Sequence, residues 1–131
     1  MKGIKTYQGS ETILFVEDEE SLSELMGLRL EEKGYTILMA RDGEEAIDMY
    51  GKHKNEIAVI IMDMGLPKLG GWEVLRRVRQ IDPGARVILA SAYVDKELKA
   101  EMITSGAKDY VQKPYDAEQI ARKIREMIDA G

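Results

Sequence analysis

Five residues stand where side chains of their type could act together: the carboxylates Glu17, Asp18 and Asp63, the hydroxyl of Ser91 and the amine of Lys113. Each stands at or just past the end of a short strand-like run. Three carboxylates brought close repel one another and raise a pKa unless a cation sits between them. The chain has no Cys and one His, which excludes sulfur and multi-imidazole metal sites and leaves oxygen donors. Oxygen donors alone call for a hard cation, Mg2+ before Ca2+. Mg2+ keeps waters and uses one or two carboxylates, which leaves Asp63 free as a nucleophile able to form an acyl phosphate. Ser91 and Lys113 are the types that hydrogen-bond and neutralise phosphoryl oxygens.

The runs that precede these residues read as buried strands. Thr12–Val16 is the first, 35–39 the second and 57–62 the third and most apolar, stopping at Asp63. Residues 86–90 make the fourth, and Asp109–Gln112 the fifth, halted by Pro114. Between them lie helical patterns. Ser21-x-x-Glu24 reads as a capping box, followed by Leu22, Leu25, Met26 and Leu30 at helical spacing and a stop at Gly34. Asp42-Gly43 opens a short helix with Ala46, Ile47 and Tyr50 on one face. Val74, Leu75 and Val78 mark a third helix after the loop with Gly65, Pro67, Gly70 and Gly71. A fourth starts near Asp95 and ends at Ser105-Gly106. The last, 116–129, turns Ala117, Ile120, Ile124 and Ile128 inward.

This is (βα)5. Strict alternation with continuously apolar strands predicts a doubly wound parallel sheet covered by helices on both faces. Ligands of such sheets bind outside the carboxyl ends of the strands. If the first and third strands are central neighbours, about 4.8 Å apart, then Glu17, Asp18 and Asp63 meet at one edge.

The 131 residues suit one domain, with 1–11 a polar linker or N-terminal extension and 12–131 the folded unit. The net charge of −5 argues against a nucleic-acid partner. The longest apolar run, 57–62, is too short to span a bilayer, and residues 1–5 lack the apolar stretch of a signal peptide. The expectation is a cytoplasmic protein without membrane contact.

In these residues the chain resembles the receiver domains of bacterial two-component response regulators. The likeness spans 12–129. It rests on Glu17-Asp18, on Asp63-x-x-x-Pro67 with Gly71 beyond, on Ser91-Ala92, and on Gly106-Ala107-x-x-Tyr110-x-x-Lys113-Pro114. It implies the flavodoxin-like strand order 2-1-3-4-5. It implies that Asp63 takes a phosphoryl group from a phosphohistidine of a histidine kinase or phosphotransfer protein. Asp18, Asp63 and the Gly65 backbone carbonyl would ligate Mg2+, with Mn2+ as a substitute, and Glu17 would hold the ion through water. Ser91 and Lys113 would bind the phosphoryl oxygens. Ser91 and Tyr110 would be the switch pair, altering the face made by the fourth helix, fifth strand and fifth helix, which is also the expected surface of a homodimer. The Lys113–Pro114 bond would be cis. Gly65, smaller than usual, and Tyr93, bulky, stand at the positions expected to tune dephosphorylation.

Other chemistries fit less well. A haloacid-dehalogenase-like phosphatase, acting through an aspartyl-phosphate, carries Asp-x-Asp after the first strand; here the nucleophile follows the third, and Gly65 stands where a second Asp would be. A flavin or nucleotide module needs a Gly- or Ser/Thr-rich loop where Glu17-Asp18-Glu19-Glu20 would repel phosphate. An unphosphorylated interaction module would have no use for the complete site. Taken singly, Glu19 and Glu20 read as acids at a helix N-terminus, His53 as a solvated helix end, Met62 and Met64 as packing, and Trp72 as a half-buried anchor.

No output domain fits within the chain. The expectation is therefore a non-enzymatic switch that signals through a downstream effector or a domain of a parent chain. Residues 65–75 and 112–115 look like receivers of hybrid sensor histidine kinases, in which case the parent would be a protein histidine kinase. A stand-alone single-domain regulator is the alternative.

Overall fold

The computed structural model describes residues 7–130. Five strands alternate with five helices: β1 (Thr12–Val16), α1 (Glu20–Glu32), β2 (Thr36–Ala40), α2 (Gly43–His53), β3 (Ile57–Asp63), α3 (Gly71–Ile81), β4 (Val87–Ser91), α4 (Lys96–Thr104), β5 (Asp109–Gln112) and α5 (Ala117–Asp129). All pair in parallel in the order β2-β1-β3-β4-β5. The doubly wound parallel sheet expected from the alternation is observed, with the flavodoxin-like strand order that the resemblance implies. No helix of the described residues is long and apolar enough to cross a membrane.

Successive strand side chains point to opposite faces, and the sheet divides its residues accordingly. Leu14, Val16, Ile60, Met62, Val87 and Leu89 pack beneath α2, α3 and α4. Ile13, Phe15, Val59, Ile61, Ile88 and Val111 pack against α1 and α5. Both layers bury large aliphatic side chains, each stabilising by roughly 1.5–3 kcal/mol relative to exposure. The central strands are apolar between their terminal residues because neither face meets water.

Two local expectations fail. Ser21 and Glu24 form no capping box: α1 is capped at Glu19, without a side-chain hydrogen bond, and begins at Glu20. The amide of Glu19 donates to Glu17 Oε2, at 3.0 Å, so the strand-end carboxylate holds the residue from which the helix starts. Glu20 lies in the first turn, where the helix dipole favours it. Leu25 also points outward, 47% exposed, because the buried face of α1 is Ser23, Met26, Gly27 and Leu30. A true capping box occurs at α5, where Asp116 and Gln119 satisfy each other's backbone amides.

Of the segment 1–11, residues 1–6 lie outside the described residues. Residues 7–11 lie against the body of the fold. The Gly9 amide donates to the Lys33 carbonyl. The Arg125 guanidinium of α5 bonds the Gln8 carbonyl, Glu11 and Asp129. Gly34 has φ +104°, and a Cβ there would stand 2.3 Å from the Gly9 carbonyl oxygen, so only glycine permits this approach.

Candidate functional site

The site lies at the carboxyl ends of β1, β3, β4 and β5. The neighbouring strand secures each entry to it. The Glu17 amide donates to the Ala40 carbonyl at the end of β2. The Met64 amide, next after Asp63, donates to the Ala90 carbonyl, and the Lys113 amide to the Ser91 carbonyl. The parallel ladder thus runs past the last side chain of each strand and holds the chemistry-bearing residues at one edge. Ala40, whose side chain has no chemistry, anchors Glu17 through its backbone.

Glu17, Asp18 and Asp63 each offer a carboxylate oxygen within 4.8 Å of the others. Glu17 is buried, Asp63 half-buried and Asp18 exposed, so the cluster opens outward at Asp18. Such a set of oxygen donors fits a hard divalent cation in both spacing and chemistry. Lys113 Nζ lies 3.0 Å from Glu17 Oε1 and 3.1 Å from Asp63 Oδ2. The Lys113–Pro114 bond is cis.

The electrostatics follow from burial and from one cation shared between two anions. Burial pushes the Glu17 carboxyl above its usual range; the Glu19 amide and Lys113 offset this only in part, and the Asp63 charge adds to it. Burial works against the Lys113 ammonium, but its hydrogen bonds to Glu17 and Asp63 prevail and hold its pKa above the usual value. Tyr115, half-buried against the α1 and α5 layer, is raised first by burial and then by the charges of Glu17, Asp63 and Glu19, so its phenol stays neutral.

Ser91 ends β4, and its hydroxyl donates to the Tyr93 carbonyl at 3.2 Å. Tyr93 itself is 69% exposed. The Val94 amide donates to Gln112 Oε1, which ties the β4–α4 loop to β5. Tyr110 is half-buried between Lys99 of α4 and Lys123 of α5, whose ammonium nitrogens stand 5.4 and 5.7 Å from its ring centre. Gly65 is exposed, and its amide lies 3.4 Å from Asp63 Oδ1. A cleft beside Asp63 is lined by Met64, Gly71, Trp72, Ala92 and Leu98. Trp72 is half-buried and Met62 is fully buried in the core. His53 stands 3.8 Å from Glu56, far along α2 from the strand ends.

The structure therefore brings Glu17, Asp18, Asp63 and Lys113 into one cluster, with Gly65 beside it. It directs the Ser91 hydroxyl to the loop and sets Tyr110 between two helices. Reasoning from sequence missed Tyr115, Gln112 and the contacts of Asp42 with Lys68. Tyr115 carried a signal, since it follows Lys113-Pro114; the others are ordinary polar residues in sequence.

Residues 13–125 match the family described as response regulator receiver domain. The chain is 37% identical over 113 residues to the uncharacterized transcriptional regulatory protein YkoG of Bacillus subtilis, covering 86% of this chain and 49% of that protein. It is 33% identical over 116 residues to the response regulator ArlR of Staphylococcus aureus, covering 88% and 52%. It is similar to the crystal structure of a response regulator receiver domain protein from Clostridium thermocellum, with a TM-score of 0.86, 29% identity, and 92% of this chain and 95% of that one covered. The chain spans about half the length of the curated relatives quoted.

Proposed function

The chain belongs to the response regulator receiver domain family, and from that premise we propose that Asp63 is its phosphoacceptor in a two-component phosphorelay. The donor is a phosphohistidine on a histidine kinase or a histidine phosphotransfer protein. The observation that carries this reading is the position of the Asp63 carboxylate: at the open edge of the sheet, with Glu17 and Asp18 oxygens within 4.8 Å and Lys113 Nζ at 3.1 Å.

In the transfer, an Asp63 carboxylate oxygen attacks phosphorus, the O–P bond forms, and the N–P bond of the phosphoimidazole breaks with its electron pair returning to the ring. Asp18, Asp63 and the Gly65 carbonyl would hold Mg2+, or Mn2+ in its place, with Glu17 supporting it through water. The bound ion would neutralise charge gathering on the transferred group. Lys113 turns from its present carboxylate partners toward a phosphoryl oxygen. Ser91 exchanges its bond to the Tyr93 carbonyl for another phosphoryl oxygen. Tyr110 moves with it, and the face of α4, β5 and α5 takes its second arrangement, a population shift rather than a new fold. That face is the proposed homodimer surface. Gly65 and Tyr93, flanking the path of hydrolytic water, set the phosphate lifetime. The chain performs its own phosphotransfer and dephosphorylation and no other catalysis.

The parent protein is proposed to be a cytoplasmic hybrid sensor histidine kinase, on the likeness of residues 65–75 and 112–115 to such receivers. The relatives quoted above favour a second arrangement, a regulator with a transcriptional output. The reading frame on both sides of this segment distinguishes the two.

The test is labelling with acetyl phosphate and Mg2+. Wild type is expected to gain an acid-stable phosphate that base and hydroxylamine release. An Asp63→Asn variant that labels as well as wild type would refute the assignment.

A further inference from the structure

The start of α2 meets the loop that leaves Asp63. Within that loop Lys68 has φ +67°, a left-handed conformation that costs a lysine energy. The Leu69 amide donates to the Pro67 carbonyl at 2.8 Å, so residues 67–69 form a γ-turn about Lys68. A turn of this kind persists where its surroundings hold it. Lys68 Nζ stands 3.4 Å from Asp42 Oδ2, while Asp42 Oδ1 accepts from the Glu45 amide at 2.8 Å. One carboxylate thus caps α2 and grips the loop. The backbones also meet. A Cβ on Gly43 would lie 2.4 Å from the Leu69 carbonyl oxygen and 2.7 Å from Val74 Cγ2. At its other end the loop is held by the Gly65 amide, 3.4 Å from Asp63 Oδ1.

We propose that Asp42 and Gly43 are positioning residues: by clamping the loop at Lys68 and Leu69 they fix Gly65 relative to Asp63, and so set the affinity of the acidic cluster for Mg2+. The inference rests on the cation site described under the proposed function. Neither residue touches that site. Asp42-Gly43 reads in sequence only as a helix start, and the clamp arises from the packing of α2 beside the loop.

The experiment titrates Mg2+ alone into the full chain and follows the fluorescence of Trp72, which lines the cleft beside Asp63. In parallel the acetyl phosphate labelling rate is measured against Mg2+ concentration. Gly43→Ala is expected to raise the half-saturating Mg2+ concentration about tenfold, because the loop must move to admit the methyl group. Asp42→Asn retains a capping side chain and loses only the charge facing Lys68, so about a twofold rise is expected. Lys68→Met should give the same rise, and the double variant no more than either. In the Asp42 and Lys68 variants the labelling rate at saturating Mg2+ and the thermal midpoint in EDTA should match wild type, which a merely structural role would not leave unchanged. Those variants carry the test if Gly43→Ala does not fold. A wild type that responds to Mg2+, with every folded variant at the same constant, overturns the clamp alone. A wild type that neither responds nor labels overturns the cation site and the clamp together.

Discussion

Lys113 Nζ stands 3.1 Å from Asp63 Oδ2 and joins the end of β5 to the end of β3 across β4. The same nitrogen reaches Glu17 Oε1 at 3.0 Å. One ammonium therefore serves two carboxylates, one of them only 2% exposed. Replacing it with Lys113→Met leaves both anions without their cation. The expected loss in labelling rate at saturating Mg2+ is on the order of 10²-fold, the usual cost of removing a preorganised group facing developing charge. A rate within twofold of wild type would show that Lys113 is structural only.

Cation removal gives a second prediction. EDTA should abolish both labelling and the Trp72 response, and excess Mg2+ should restore them. Asp18→Asn, at the exposed mouth of the cluster, should raise the half-saturating Mg2+ concentration by at least about tenfold, since even the loss of an outer-shell partner typically costs that much. The thermal midpoint in EDTA should not fall, because Asp18 is exposed.

The third concerns pH. The Arg125 guanidinium holds the Glu11 carboxyl below its usual 4.5, with burial opposing in part. A carboxyl depressed in the folded state contributes stability that is complete above its unfolded pKa and lost as pH falls through the folded one. Wild type should therefore lose thermal stability more steeply than Glu11→Gln as pH drops below about 4.5. The two should run parallel from pH 5 to 7. Parallel curves throughout would mean that the pair is too solvated to matter.

The fourth tests the α5 cap. Asp116→Ala removes the acceptor for the Gln119 amide, a bond of 2.8 Å. The expected cost is about 1 kcal/mol, read from urea unfolding. Ser21→Ala at the start of α1 should cost less than half of that, since Ser21 makes no cap there.

Much of the architecture is legible in the chain because its signals are local. The apolar runs announce strands buried on both faces, and the types at their ends announce where chemistry can gather. The errors at α1 have a local cause too. Ser21-x-x-Glu24 satisfies a capping pattern, but the helix starts earlier, at Glu20, once Glu17 has taken the Glu19 amide. Leu25 has helical spacing yet lies off the buried stripe, since spacing alone does not say which side of a helix meets the sheet.

By itself the sequence determined the order of elements, the end of each strand to within one residue, and an oxygen-only donor set carried by acids in a chain without Cys. Those follow from residue type and short-range period. Residue type and period left open whether β1 lies beside β3, which only the family likeness implied; the tertiary structure decided it, so that Glu17 and Asp18 reach Asp63, and decided that Lys113 crosses β4 to meet them. It also decided that Tyr115 packs against the layer of α1 and α5, that Arg125 grips residues 8–11, and that Asp42 and Gly43 hold the loop at Lys68. The physical reason is the same in each case. Strand pairing and side-chain packing join residues far apart in the chain, and neither periodicity nor residue type encodes which distant partner a side chain will meet.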